Sequence, residues 1–189
     1  MMELKGSNTE KNLLAAFAGE SQVRNRYGFF AEVARKEGHE RIARTFELTA
    51  DQEREHARRL FGFLEGGWLE VSGSFPAGVV GSTLENLKAS ASSENYEHSK
   101  LYPEFAEAAH AEGFERIAQL FDAIALVEMQ HEWRFKELAT DLERGTLYKK
   151  EHAVSWRCFK CGYVHQSENP PEVCPVCDDA GEYYEIGAD

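Results

Sequence analysis

The first 157 of 189 residues hold no cysteine, and all four cysteines fall between Cys158 and Cys177. Cysteines so crowded read as a local metal cage, not as a disulfide framework spread over a fold. Nor is any apolar stretch long enough to cross a bilayer, and the opening residues from Met1 to Lys11 lack an apolar signal core, so a soluble cytoplasmic protein is expected. Runs of Lys and Arg are missing too: 21 basic residues stand against 33 acidic ones, a net charge of −12. Phosphate attracts clustered cations, so neither nucleic acid nor an anionic membrane is expected as a partner.

What is present divides into two pieces. Up to about Lys150, apolar residues recur at spacings of three and four, as in Leu13, Leu14, Phe17 and in Ile117, Leu120, Phe121, Ile124, which predicts helix. From Trp156 the character shifts to Cys, Gly, Pro, Tyr and Val in short runs suited to knuckles and short strands. The expected units are therefore residues 1–150 and 151–189, and the second carries eight acids against two bases, so a protein that docks on it should be basic.

The helical piece repeats itself at an offset of 75: Phe30-Ala31-Glu32 returns as Phe105-Ala106-Glu107, and Glu40-Arg41-Ile42-Ala43 as Glu115-Arg116-Ile117-Ala118. Gly38 and Gly113 sit where one helix should end and the next begin, so each repeat is a helical hairpin and the pair a four-helix bundle. Helices are expected at 8–36, 39–65, 82–111 and 114–144, with the Gly-rich 66–81 stretch as one long crossover, the ferritin-like arrangement.

Each hairpin carries a Glu-x-x-His on its second helix, Glu53 with His56 and Glu128 with His131. Residues three apart share a helix face roughly 4.5 Å apart along the axis, so both can reach one metal. The first helices add Glu20 and, in the second copy, Glu94 and Glu97. One Glu-x-x-His is common on exposed helices; two in repeat register with carboxylates facing them match the known ligand template of ferritin-like di-iron proteins. Hard oxygen and imidazole ligands suit iron or manganese, and such a pair, about 3.5 to 4 Å apart, suits peroxide or dioxygen as substrate.

Tyr27 and Tyr102 also correspond, about two turns beyond Glu20 and Glu94. As buried phenols they either fill core and hydrogen-bond a ligand carboxylate or act catalytically by binding or protonating peroxide. One extra residue between Glu94 and Tyr102 predicts a π-bulge within 94–103. His39, His98, His110, His152 and His165, and Glu10, Glu32, Glu37, Glu40 with their repeat mates, are expected on solvated faces.

Cys158-Phe159-Lys160-Cys161 and Cys174-Pro175-Val176-Cys177 form two Cys-x-x-Cys knuckles, a strong signal for one tetrahedral metal, with zinc and iron both open. So small a unit should depend on that metal to fold, around Trp156, Tyr163, Val164, Tyr183 and Tyr184.

From Ala16-Phe17-Ala18-Gly19-Glu20-Ser21-Gln22 through Asp51-Gln52-Glu53-Arg54-Glu55-His56 and Phe75-Pro76-Ala77-Gly78 to Trp156-Arg157-Cys158 and Cys174-Pro175, the chain resembles the rubrerythrins. The resemblance implies a mostly α protein with a rubredoxin-like C-terminal domain, acting as a non-haem peroxidase in oxidative-stress defence. It implies two irons bridged by Glu53 and Glu128, completed by Glu20, Glu94, Glu97, His56 and His131, with one iron shifting between Glu97 and His56. Catalytic roles would fall to Glu97, Tyr27 and Tyr102. A third iron would sit in the four cysteines. Hydrogen peroxide would be reduced with electrons from rubredoxin or a similar donor and its NAD(P)H reductase, in a head-to-tail homodimer where one tail serves the other subunit's site. Two other readings remain: a ferroxidase, whose substrate brings its own electrons and leaves the tail without purpose, and a non-enzymatic scaffold with a zinc ribbon.

Overall fold

The structure, a computed structural model, describes residues 3–187, so the outermost residues of the two expected units, 1–2 and 188–189, lie outside it. Helices α1 (Asn8–Lys36), α2 (Glu40–Phe61), α3 (Thr83–Tyr96), α4 (Tyr102–Ala111) and α5 (Glu115–Arg144) form the bundle. A π-helical segment, Glu97–Leu101, joins α3 to α4, so the bulge expected from the extra residue is present. It absorbs that residue without turning Tyr102 away from the core, and Pro103, just past it, sits in the first turn of α4, where its missing N–H costs little. The second helix stops at Phe61, short of the expected 65, because Gly62 caps it and Gly66 and Gly67 take φ values of +84° and +97°, closed to most side chains.

Helix starts are secured by side chains. Ser7 accepts from the Glu10 amide at 3.0 Å, while the Glu10 carboxylate accepts from Gly6 N–H at 2.7 Å. Two acids expected on solvated faces also cap helices of the other hairpin. Glu37 accepts from the Thr83 amide at 3.0 Å, and its repeat mate Glu112 accepts from the Asn8 and Thr9 amides at 3.0 and 2.8 Å. Carboxylates at helix N-termini meet free N–H groups and the positive end of the dipole, so each hairpin's turn clasps the first helix of the other. Glu37 stays exposed and Glu112 partly so, as expected, whereas Glu10 is buried.

Two aromatic cores fill the bundle on either side of its middle. One holds Tyr27, Phe30, Phe46 and Phe135; the other holds Leu13, Leu60, Tyr102, Ile117 and Phe121. Phe46 is fully buried, its ring 5.1 to 5.7 Å from those of Phe135, Phe30 and Tyr27. Phe46→Ala should lower unfolding stability by about 3–5 kcal/mol, the range for truncating a core aromatic, in a denaturant titration of the metal-loaded protein.

The tail forms a three-stranded antiparallel sheet of β1 (Val154–Cys158), β2 (Val164–Ser167) and β3 (Tyr184–Ile186), ordered β2-β1-β3. Trp156, Cys158, Cys174 and Tyr184 make its core, with Tyr163 against them. Val164, expected there, is 49% exposed, because strand alternation turns it outward beside inward-facing neighbours. The tail rests on the start of α2: Arg44 lies 4.5 Å over the Phe159 ring, and Tyr148 Oη donates to Glu182 O at 3.1 Å. Among the described residues no helix is long and apolar enough to cross a membrane.

Candidate metal centres

Between the two aromatic cores, the middle turns of the helices turn acids inward. Glu20 comes from α1, Glu53 and His56 from α2, Glu94 from α3, Glu128 and His131 from α5. Their ligand atoms fall into two sets, Glu20, Glu53, His56, Glu128 and Glu53, Glu94, Glu128, His131, each within 4.8 Å of one another. Glu53 and Glu128 belong to both. Glu53 turns Oε2 to His56 Nδ1 at 2.9 Å and Oε1 to His131 Nδ1 at 3.0 Å. Glu128 turns Oε1 to His56 at 3.0 Å and Oε2 to His131 at 2.7 Å. Each carboxylate thus offers one oxygen to either centre, the disposition of a bridge between two cations.

Glu20 Oε2, both oxygens of Glu53 and Glu128, Glu94 Oε2, and Nδ1 of His56 and His131 are buried without a hydrogen-bond partner. Buried polar atoms are nearly always partnered. Eight that are not, converging from four helices, fit two cations, which would satisfy all of them.

Tyr27 and Tyr102, both buried, complete a crossed arrangement. Tyr27 Oη donates to Glu94 Oε1, and Tyr102 Oη donates to Glu20 Oε1. Each phenol occupies one oxygen of a terminal carboxylate and leaves the other aimed at the centre.

Glu97 stands apart: it belongs to neither set, lies partly buried at the start of the π segment, and has Ser93 Oγ 3.4 Å from its Oε1. It lines a cavity of about 550 Å³ with Gly19, Gln22, Phe75, Ser93 and Leu101, between α1, the crossover link and the π segment. His98, expected on a solvated face, is held by Glu132 at 2.7 Å, tying the π segment to α5. Neither His98 nor Glu132 belongs to the repeat, which is why spacing did not single them out.

Burial raises Glu20 to about 7, with Glu53 adding to the rise and His56 and Tyr102 opposing it. Burial, then neighbouring carboxylates, also raises Glu94 and Glu97 well above the ordinary range. Burial disfavours the charged form of His131, but Glu128 and Glu53 outweigh it and lift the group to about 9. Metal-free, the pocket is therefore stabilised by protons. Groups raised on folding contribute stability that is complete below their unfolded values and is lost as pH rises through the folded ones. For Glu20 that window runs from 4.5 to about 7, and for His131 from 6.5 to about 9. The melting temperature of metal-stripped protein should fall across pH 5 to 9, while metal replaces the protons and widens its stabilisation over the same range. A gap between stripped and loaded melting curves that does not grow with pH would contradict this.

In the tail, Cys158 and Cys177 Sγ are 3.7 Å apart, and Cys161 and Cys174 Sγ 3.5 Å. A disulfide needs about 2.05 Å. Four thiolates about 2.3 Å from one ion have edges of about 3.8 Å, so the four sulfurs fit a tetrahedral metal. Gly162, at φ +80°, makes the first knuckle's turn. Burial opposes the Cys174 thiolate, but Tyr184 and the Val176 and Cys177 amides prevail and lower it to about 6.

Comparison with known proteins agrees with both centres. A family model described as rubrerythrin matches residues 11–139, which contain all six clustered side chains, and one described as rubrerythrin, rubredoxin-like domain matches 156–185, which contain the four cysteines. A rubrerythrin of Porphyromonas gingivalis is 54% identical over 96% of this chain and 91% of its own. One from Nitratidesulfovibrio vulgaris is 50% identical over 98% and 97%. Among solved structures, the fully reduced, all-ferrous state of nigerythrin superposes with a TM-score of 0.64 at 30% identity, covering 97% of this chain and 91% of that one. The bundle cluster is accordingly a di-iron carboxylate site and the cysteine set a rubredoxin-like site. Matched in both parts and over nearly its whole length, the chain belongs to the rubrerythrin family.

Proposed function

We propose that this oxidoreductase reduces hydrogen peroxide to water, H2O2 + 2e− + 2H+ → 2H2O, in oxidative-stress defence, with electrons relayed through the four-cysteine iron. The observation that carries the reading is the pair of ligand sets sharing Glu53 and Glu128 in a chain that also holds a four-cysteine site. Two irons held there would supply the two one-electron steps that cleaving one O–O bond needs. Glu53 and Glu128, common to both sets, would hold both irons, with Glu20 and His56 at one position and Glu94 and His131 at the other. Glu97, outside both ligand sets and lining the cavity, would hold a proton where peroxide arrives, and on losing it could turn to the metals as a further ligand. Tyr27 and Tyr102 keep Glu94 and Glu20 turned inward and can return a proton through those hydrogen bonds. Cys158, Cys161, Cys174 and Cys177 would hold the third iron. Residues 1–150 and 151–189 serve as the two functional units.

Rubredoxin or a similar carrier, reduced by an NAD(P)H reductase in the cytoplasm, fits as donor, with a basic face for the acidic tail. Within one chain the tail rests at Arg44, while Glu53 and His56 lie nine and twelve residues on, roughly 14 to 18 Å along α2. That separation favours a head-to-tail homodimer in which each tail serves the other subunit. A ferroxidase would draw its electrons from free ferrous iron and would have no use for the four cysteines.

Glu97→Ala should slow reoxidation of the anaerobically reduced protein by a peroxide pulse by about 100-fold or more, the span of general acid–base contributions, with the tail's thiolate-to-iron absorbance intact. Turnover equal to wild type would sink the assignment, and faster reoxidation by air than by peroxide would favour the ferroxidase.

A further inference from the structure

The two histidines of the bundle are held unequally. His131 is buried, and its second ring nitrogen, Nε2, lies 3.0 Å from Gln52 Oε1. With Nδ1 facing Glu53 and Glu128, Nε2 carries the hydrogen and donates it to the Gln52 carbonyl. His56 is its repeat mate, yet among the described residues nothing hydrogen-bonds its Nε2, and 14% of its side chain reaches solvent. The repeat shows why. At the offset of 75 that pairs Glu53 with Glu128 and His56 with His131, Gln52 pairs with Val127, whose side chain can accept nothing.

We propose that Gln52 is a positioning residue that fixes the tautomer and ring orientation of His131, and that Val127 at the matching place leaves His56 unanchored, so the two metal positions differ in strength. The Glu94–His131 position is the tight one and the Glu20–His56 position the exchangeable one. An imidazole whose free nitrogen is already bonded needs no reorientation to bind metal and is a better base toward it; loss of such a partner typically costs about 10–100-fold in metal affinity. The proposal rests on the ligand assignment above and extends it to residues outside the ligand sets.

The test uses full-length, iron-loaded protein held anaerobic and reduced, with a ferrous chelator added and iron release from the bundle followed in time. Wild-type protein should lose bundle iron in two phases of equal amplitude. Gln52→Val should speed the slow phase by about 10–100-fold until the two approach one another, while Val127→Gln should slow the fast phase. Gln52→Glu, whose carboxylate also accepts from Nε2, should keep the slow phase slow, and it decides the matter if Gln52→Val does not fold. A Gln52→Val protein with native helicity and both phases unchanged would overturn the role of Gln52, as would a Gln52→Glu protein that loses the slow phase. An unchanged fast phase in Val127→Gln would overturn the account of His56. Wild-type protein that takes up only one bundle iron per chain on loading would unseat the ligand assignment itself, an outcome independent of Gln52.

Discussion

Replacing Glu128 by glutamine is expected to remove the paired metal site and with it more than about 100-fold of peroxide turnover, since even an outer partner of a metal ligand is worth 10–100-fold. The reason lies in the geometry: Glu128 faces both His56 and His131, so the neutral amide weakens both positions at once. An amide also offers one carbonyl oxygen where the site needs two, and its NH2 group points a donor at a cation. Metal analysis should show the bundle iron lost and the tail iron kept. The helices should survive, because the two aromatic cores lie to either side of the cluster and do not depend on it. Retention of both bundle irons in Glu128→Gln would show that the shared carboxylate is not a bridge.

Removing the tail's metal should have an effect as large, on another readout. Cys174 is buried among Trp156, Cys158 and Tyr184, and among the described residues these few side chains, with Val154 and Tyr163 packed against them, make the core of the tail. Units below about 40 residues rarely fold without a staple, and here the staple is the metal. Cys174→Ser should therefore leave residues from Val154 onward unprotected in hydrogen exchange while α1 to α5 stay protected. Turnover driven by a protein electron donor should cease, yet protein reduced chemically should still be reoxidised by peroxide, because the bundle ligands are untouched. A tail that stays protected without its metal would mean that its docking on Arg44 and Tyr148 suffices to fold it.

Much of the architecture was legible because helical periodicity and an internal repeat are statements about faces and order. The spacing of Glu53 and His56, repeated at Glu128 and His131, already puts four candidate ligands on two helix faces. One extra residue before Tyr102 marked the π segment, and two Cys-x-x-Cys knuckles marked the tail's cage. Less legible were features made between helices. Glu37 and Glu112 looked like surface acids because capping across hairpins depends on where the other hairpin's helix begins, which no local pattern encodes.

The sequence by itself thus determined the bundle, its repeat and the ligand types available to each helix, because a period of 3.6 residues assigns every side chain a face. Only the tertiary structure decided which ligands meet. It set Glu53 and Glu128 to face both histidines, left Glu97 beside the cavity outside both sets, and brought Gln52 to His131 while Val127 left His56 without a partner. Those outcomes depend on the axial level and rotation of one helix against another, which the packing of Phe46, Phe121 and their neighbours fixes, and on that scale a shift of one side chain's length separates a ligand from a bystander.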